Sequence, residues 1–336
     1  MPALLAEVTR GDIVESRHYG HVAVCDSKGT LIAKAGDPET VTYIRSACKP
    51  IQALNVFMSG AQDKYNFSSK ELAIMCASHY GEDMHRDVIL GILDKLGLSL
   101  DNLLCGTPLS IQADLMEKQL RENRKLEPYN SDCSGKHCGF LAACLASGYP
   151  VENYNDPNHP MEKDVLKIVS EVTDVPEDSI AIGIDGCGVP VHGLPLKNMA
   201  MGYARMTSPE NLPEKYRAGA ERIFTAMNEA PEMVAGTGGF CTELLKHTHG
   251  KLIGKLGAEA VYCVGIKDRD IGIAIKVDDG EYHRPLFPTV LRVLEQLDLI
   301  TEEELAALEP FRNPPVINDL GWEVGVTRSV VELEYI

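Results

Sequence analysis

The sequence contains no apolar run approaching the roughly 18 residues that span a bilayer, so no membrane-spanning helix is expected. Its first residues, "MPALLAEVTRGDIVE", lack the basic segment and apolar core of an export signal. The expectation is a cytoplasmic protein, in which cysteines stay reduced or bind metal rather than pair as disulfides. Basic residues are also short: 32 Lys and Arg stand against 49 Asp and Glu, a formal charge of −17. That balance argues against nucleic acid or an anionic membrane as partner. No internal repeat, low-complexity tract or evident interdomain linker interrupts the chain, and its ten cysteines include no paired C-x-x-C units.

What is present is ordinary globular material, 44% hydrophobic and 24% charged over 336 residues. That length and composition suffice for one or two domains with a buried core. Residues 3–36 read as strands punctuated by Arg-Gly-Asp and Ser-Lys-Gly turns, the second suiting a hairpin. The spacing then predicts a helix from Ile44 to about Ala61, with Ile51, Leu54 and Met58 on one face and Pro50 in its first turn. Further helices are expected over 69–77, 84–97 (capped by Gly97), 110–125, 138–150, 160–172 and 214–228. Strand alternation returns over 251–282 around a Lys-Asp-Arg-Asp turn, followed by a helix near 285–307 and a strand at 329–335. Strands at both ends with helices between predict an α/β (α+β) fold, an antiparallel sheet built from N- and C-terminal segments with an inserted helical region. We expect one domain over 1–336, its sheet part about 1–45 and 250–336 and its helical part about 46–249.

Two groups of residues carry chemistry. In "YIRSACKPIQAL" (residues 43–54), Ser46 and Lys49 form an S-x-x-K whose members share one face of a helical first turn. A helix N-terminus stabilises developing negative charge, and a lysine in a dry pocket can take the proton of an attacking serine. The bland alternative is an N-capping serine with a solvated lysine. "CASHYGEDMH" adds Ser78 after an apolar helix, and "GKLGAEAVYCVGI" adds Lys255 and Gly257 as a K-x-G heading an apolar strand. That order matches the motif order of serine β-lactamases and penicillin-binding proteins, in which the K-x-G strand edges the site. Here Ser-His-Tyr replaces Ser-Asp-Asn, and Leu256 stands where a hydroxyl residue is usual. In the second group, "NSDCSGKHCGF" holds Cys133, Lys136, His137 and Cys138 in one tight turn, and "GIDGCGVPVHG" holds Asp185, Cys187 and His192. Both read either as zinc ligands or as buried thiols in glycine-rich turns.

Taken together with "GTGGFCTELL", these blocks resemble the L-asparaginase II family, the thermolabile Rhizobium-type group, in order from residue 10 to about 325. The resemblance implies a serine β-lactamase-like fold, a homodimer and hydrolysis of L-asparagine to L-aspartate and ammonia. It implies Ser46 with Lys49 and Ser78 with Lys255 as two catalytic Ser–Lys pairs. Zn2+ would be held by Cys133, Lys136 and Cys187, with no organic cofactor. Arg45, His79 and Asp185 are the expected substrate contacts. Lysine ligates zinc only when deprotonated, so affinity would depend on pH. The competing functions are a β-lactamase or penicillin-binding-protein-like acyl hydrolase, and a non-catalytic zinc or amino-acid binding protein.

Overall fold

A computed structural model describes residues 1–336. Its strands are β1 (Ala3–Arg10), β2 (Ile13–Cys25), β3 (Leu31–Ala35), β4 (Val41–Tyr43), β5 (Ala181–Ile184), β6 (Pro190–Pro195), β7 (Leu252–Gly257), β8 (Val261–Ile266), β9 (Ile271–Val277), β10 (Pro315–Ile317), β11 (Glu323–Ser329) and β12 (Glu334–Tyr335). By its contacts the chain divides into two units, one of Met1–Ala47, Leu194–Asn211 and Glu243–Ile336, the other of Cys48–Gly193 and Leu212–Thr242.

The first unit is built on a nine-stranded sheet in the order β10-β11-β1-β2-β9-β8-β7, with β3 beside β2 and β12 beside β3. Every pairing with a recorded register there is antiparallel. Strand β2 is long enough to serve twice. Its first half pairs with β1, and its second half lies between β3 and β9. Its burial follows suit, mixed at the start and unbroken from Gly20 to Cys25. β8 is buried at all six positions, so both its faces are covered. The helix Leu196–Thr207 packs on β2, β8 and β9, and the helix Leu286–Gln296 packs on β1, β8, β9 and β11. Fully buried aliphatic side chains such as Val264, Ile273 and Ile275 each contribute roughly 1.5–3 kcal/mol by leaving water. The fold class expected from the sequence is present: a mixed α/β chain whose antiparallel sheet comes from both termini around an inserted helical region.

Several element boundaries differ from the sequence reading. The helix expected over 44–61 is a 3-10 turn (Arg45–Cys48) followed by short helices Lys49–Gln52, Leu54–Met58 and Ala61–Tyr65. Gly60, left-handed at φ 77°, separates the last two. The helix expected near 285–307 is two, Leu286–Gln296 and Glu302–Ala307, the second opened by a Thr301–Glu304 capping box. The terminal strand near 329–335 is instead β11 and the two-residue β12. Leu196–Thr207 went unread in the sequence, and its segment belongs with the sheet unit rather than with the helical part.

In the second unit, helix Ser134–Ser147 is buried at every position from Ser134 to Cys144. Five helices surround it: Leu54–Met58, Ala61–Tyr65, Ser69–Met75, Asp83–Leu96 and Pro160–Thr173. Its sequence, small and apolar on all sides, suits such a central place. The sequence reading started this helix at 138, whereas Ser134, Lys136 and His137 already lie in its first turn. A Cβ on Gly135 would sit 1.9 Å from the Ile74 carbonyl oxygen, so only glycine lets this first turn close on the neighbouring helix. β5 and β6 pair antiparallel, Ile184 opposite Pro190, and the loop joining them carries Asp185 and Cys187.

Candidate active site

In the sheet unit, β4 leads into the Arg45–Cys48 turn. Arg45 is half-buried and adopts a left-handed backbone, φ 51°. That conformation is uncommon for a residue with a side chain and turns the chain sharply just before Ser46. Ser46 is 8% exposed. Behind it, the Tyr203 hydroxyl donates to the Ala47 carbonyl at 2.6 Å. The K-x-G strand runs hard against this turn: a Cβ on Gly257 would lie 2.7 Å from the Ile44 carbonyl oxygen and 3.2 Å from the Ala47 nitrogen. The glycine is therefore needed for contact between β7 and the Ser46 turn. Lys255, on the same strand, is buried, and its Nζ donates to the Leu256 carbonyl at 2.7 Å.

In the helical unit, Ser78 follows the helix Ser69–Met75, which a Ser68–Glu71 capping box starts. Residues 78–80 are then held by backbone bonds from both sides. Ser78 and Tyr80 donate their amides to the Val234 and Ala235 carbonyls, and His79 donates to Asp132. Lys49 opens its short helix and is 1% exposed. Its Nζ lies 3.1 Å from Ser78 Oγ and also donates to the Ala77 carbonyl. Asp132 Oδ2 is 3.7 Å away. Spacing paired Lys49 with Ser46. The contact in this unit is with Ser78, 29 positions along the chain.

Cys133, Lys136 and Cys187 also come together in the helical unit. Lys136 Nζ donates to Cys187 Sγ at 3.1 Å. The Cys133 thiol donates to Cys187, and that bond, with Lys136 and His137 nearby, holds Cys187 as a thiolate against the cost of burial. The same bond raises Cys133 well above the ordinary thiol range, and burial adds to the effect. Burial alone would lower Lys136, but Cys133, Cys187 and Asp185 outweigh it and keep the amine protonated. His137 accepts at Nδ1 or donates there to the Tyr154 hydroxyl, 2.6 Å away, and burial holds it below the ordinary histidine value. Asp185 takes up the Gly186 amide at 2.7 Å. His79 is fully buried.

No three histidine, cysteine or carboxylate groups converge as a metal site. The implied zinc set is two sulfurs and one amine, and these do meet. They fit zinc as donors once Lys136 and Cys133 give up their protons, an exchange of a self-satisfied ammonium–thiolate pair for a metal.

Residues that the sequence reading passed over complete the surroundings. Asp132 faces Lys49, and its carboxylate lies 3.6 Å from Cys133 Sγ. Its position just ahead of a helix N-terminus was the available signal, since carboxylates are favoured there. Glu162 is buried with neither carboxyl oxygen hydrogen-bonded, and burial pushes it up to about 8 although Lys136 opposes this. His192, which the sequence reading had grouped with Asp185 and Cys187, has both ring nitrogens buried without partners and is lowered to about 4 by burial and by Lys136.

A buried serine hydroxyl held against a lysine amine is the equipment of a hydrolase that attacks through oxygen. The chain belongs to the L-asparaginase II family, whose model matches residues 6–329. Among solved structures it is similar to Mglu in its tris and glutamate form, at 12% identity and a TM-score of 0.38, covering 83% of this chain and 59% of that one. It is also similar to a β-lactamase from Mycobacterium bovis, at 12% identity and a TM-score of 0.40, covering 82% and 94% of the two chains. The chain thus spans under two thirds of the length of the Mglu chain it matches. No curated protein matches it. No helix is long and apolar enough to cross a membrane.

Proposed function

We propose that the protein is an amidohydrolase that converts L-asparagine and water to L-aspartate and ammonia by Ser–Lys nucleophilic catalysis. Membership of the L-asparaginase II family supports the substrate. The observation that supports the chemistry is the 3.1 Å contact between Lys49 Nζ and Ser78 Oγ in a buried setting. With Lys49 in its neutral form the bond reverses, and the serine hydroxyl donates to the amine. The oxygen then attacks the side-chain amide carbon as its proton passes to Nζ. Collapse of the tetrahedral adduct breaks the C–N bond, and the lysine returns the proton to the departing ammonia. Water hydrolyses the resulting ester. Ser46, on the turn that Gly257 of the K-x-G strand packs against, and Lys255, on that strand, are the remaining members of the two Ser–Lys pairs that the resemblance implies.

Zinc would be held by Cys133, Lys136 and Cys187, where it would supply a fixed positive charge for shaping the site. No step of the reaction above passes through it. Arg45 and Asp185 remain the proposed substrate contacts from the motifs, and a homodimer is proposed on the same grounds.

The test is a coupled ammonia assay with L-asparagine, L-glutamine and β-aspartyl peptides, each with and without added zinc. Release of ammonia from L-asparagine by the wild type and its loss in Ser46→Ala and Ser78→Ala, with circular dichroism unchanged, is the expected result. Wild-type turnover by both variants would overturn Ser–Lys catalysis, and hydrolysis of nitrocefin without ammonia release would favour the β-lactamase reading.

A further inference from the structure

The turn that carries Ser78 continues into a histidine whose proton can be located from its neighbours. His79 Nδ1 receives the Gly81 amide at 3.1 Å, and Nε2 lies 2.9 Å from the Ser134 hydroxyl. A backbone N–H can only donate, so Nδ1 must be unprotonated and the single ring proton must sit on Nε2. Nε2–H therefore donates to Ser134 Oγ. Ser134 is left to direct its own proton at the Tyr129 carbonyl, 3.4 Å away.

A second histidine obeys the same constraint. His85 Nδ1 receives the Glu82 amide at 3.0 Å, and its Nε2 lies 2.9 Å from the Glu232 carbonyl, which can only accept. The two rings stack with centroids 4.8 Å apart and planes 22° apart. Two cations in such a stack, out of water, would repel strongly. Burial, His85 and Lys49 all hold His79 well below the ordinary histidine value, and burial lowers His85 as well.

We infer that His79 is a positioning residue, a permanently neutral Nε2–H imidazole that fastens the Ser78 turn to the first turn of helix Ser134–Ser147, and not a substrate contact. The adjacent serine and histidine look like a nucleophile and its base, but the proton points from the ring to the serine, the wrong way for base catalysis. What the bond does is mechanical. On one side of His79 is Ser78, held to Lys49. On the other is Ser134, between Cys133 and Lys136 in the sequence. His79 thus sets the position of the Ser78 hydroxyl relative to Lys49 and ties it to the cysteine–lysine cluster. The catalytic consequence rests on the amidohydrolase reading, whereas the tautomer does not.

The full-length protein labelled with 15N-histidine tests this at neutral pH. A long-range proton–nitrogen spectrum should show His79, assigned by its loss in His79→Asn, with a bare Nδ1 and a protonated Nε2. Ser134→Ala should shift that Nε2 proton upfield. An imidazolium or an Nδ1–H tautomer overturns the inference whether or not any amide is turned over. In the kinetic arm, His79→Asn keeps an acceptor for Gly81 but loses the link to Ser134. It and Ser134→Ala should each lower kcat by about tenfold to a hundredfold with KM nearly unchanged, the scale of a misplaced reacting group. The double variant should be no worse than the weaker single one. A rise in KM at constant kcat would make His79 a substrate contact, and unchanged kinetics in both variants would make the bond structural only. If the wild type releases no ammonia, the amidohydrolase reading fails and the spectrum still decides the tautomer.

Discussion

Lys49 Nζ lies 3.1 Å from Ser78 Oγ, with the Ala77 carbonyl as a second acceptor and the Asp132 carboxylate at 3.7 Å. A lysine so placed is shut off from solvent, with two oxygens within hydrogen-bond reach of its amine and a carboxylate just beyond. The serine is fixed as firmly, because backbone bonds from Ser78 and Tyr80 to the 234–235 segment hold its turn. Neither side chain has to be ordered when substrate arrives, which is the condition for an efficient nucleophile and base.

Ser78→Ala and Lys49→Met follow from that contact. Each should lower kcat for L-asparagine by roughly a thousandfold or more, and the double variant should lose little beyond the worse single one, since the two act as a unit. Methionine matches the lysine stem without leaving an unpaired donor in the interior. Losses that multiply in the double variant would show that the two residues act in separate steps.

Gly257→Ala addresses the sheet unit. The new methyl would meet the Ile44 carbonyl oxygen at 2.7 Å, and main chain cannot rotate away as a side chain could. Strand β7 and the Ser46 turn must separate, at a cost of about 1–3 kcal/mol. Urea unfolding should show that loss, and ammonia release should fall with it. A variant as stable and active as the wild type would mean the turn yields without cost.

Glu162→Gln isolates a buried carboxyl with no hydrogen-bond partner. Its value rises from the ordinary 4.5 to about 8 because burial disfavours the charge. The folded state therefore holds a proton that the unfolded state releases across this window. Stability from this group is present below the ordinary value and is lost as pH rises towards 8. Calorimetry across that range should show the wild-type Tm falling relative to that of the Gln variant. Parallel curves would show that Glu162 is charged throughout, with a partner in solution.

Much of the architecture was legible because its causes are local. Gly97 ends the helix Asp83–Leu96 with a left-handed cap, as its place after the apolar pattern implies. The Ser-Lys-Gly and Lys-Asp-Arg-Asp turns join β2 to β3 and β8 to β9. The misread parts depend on tertiary contact. The first turn of helix Ser134–Ser147 looked like a glycine-rich loop, and only the Ile74 carbonyl explains Gly135 within it. Spacing could pair Ser46 with Lys49, but nothing in it brings Ser78 to the same lysine from 29 residues away. Cys133, Lys136 and Cys187, which the spacing left open and only the resemblance grouped, do meet. Glu162 carries no motif, and its importance comes from burial alone.

Zinc binding should follow the protons that the ligands now hold. Cys133 and Lys136 are both raised by their neighbours, so a metal entering the cluster must displace those protons. Cys187 already offers a thiolate. Added zinc should therefore raise the Tm of metal-stripped protein at neutral pH, release protons measurable in weakly buffered solution, and bind more weakly as pH falls. Cys187→Ala and Cys133→Ala should abolish the shift. Lys136→Met should weaken it less than either cysteine change, because thiolates supply most of the affinity for zinc. The readouts are thermal shift and metal content, so the outcome is independent of turnover. A shift that survives loss of both cysteines would place the metal elsewhere on the chain.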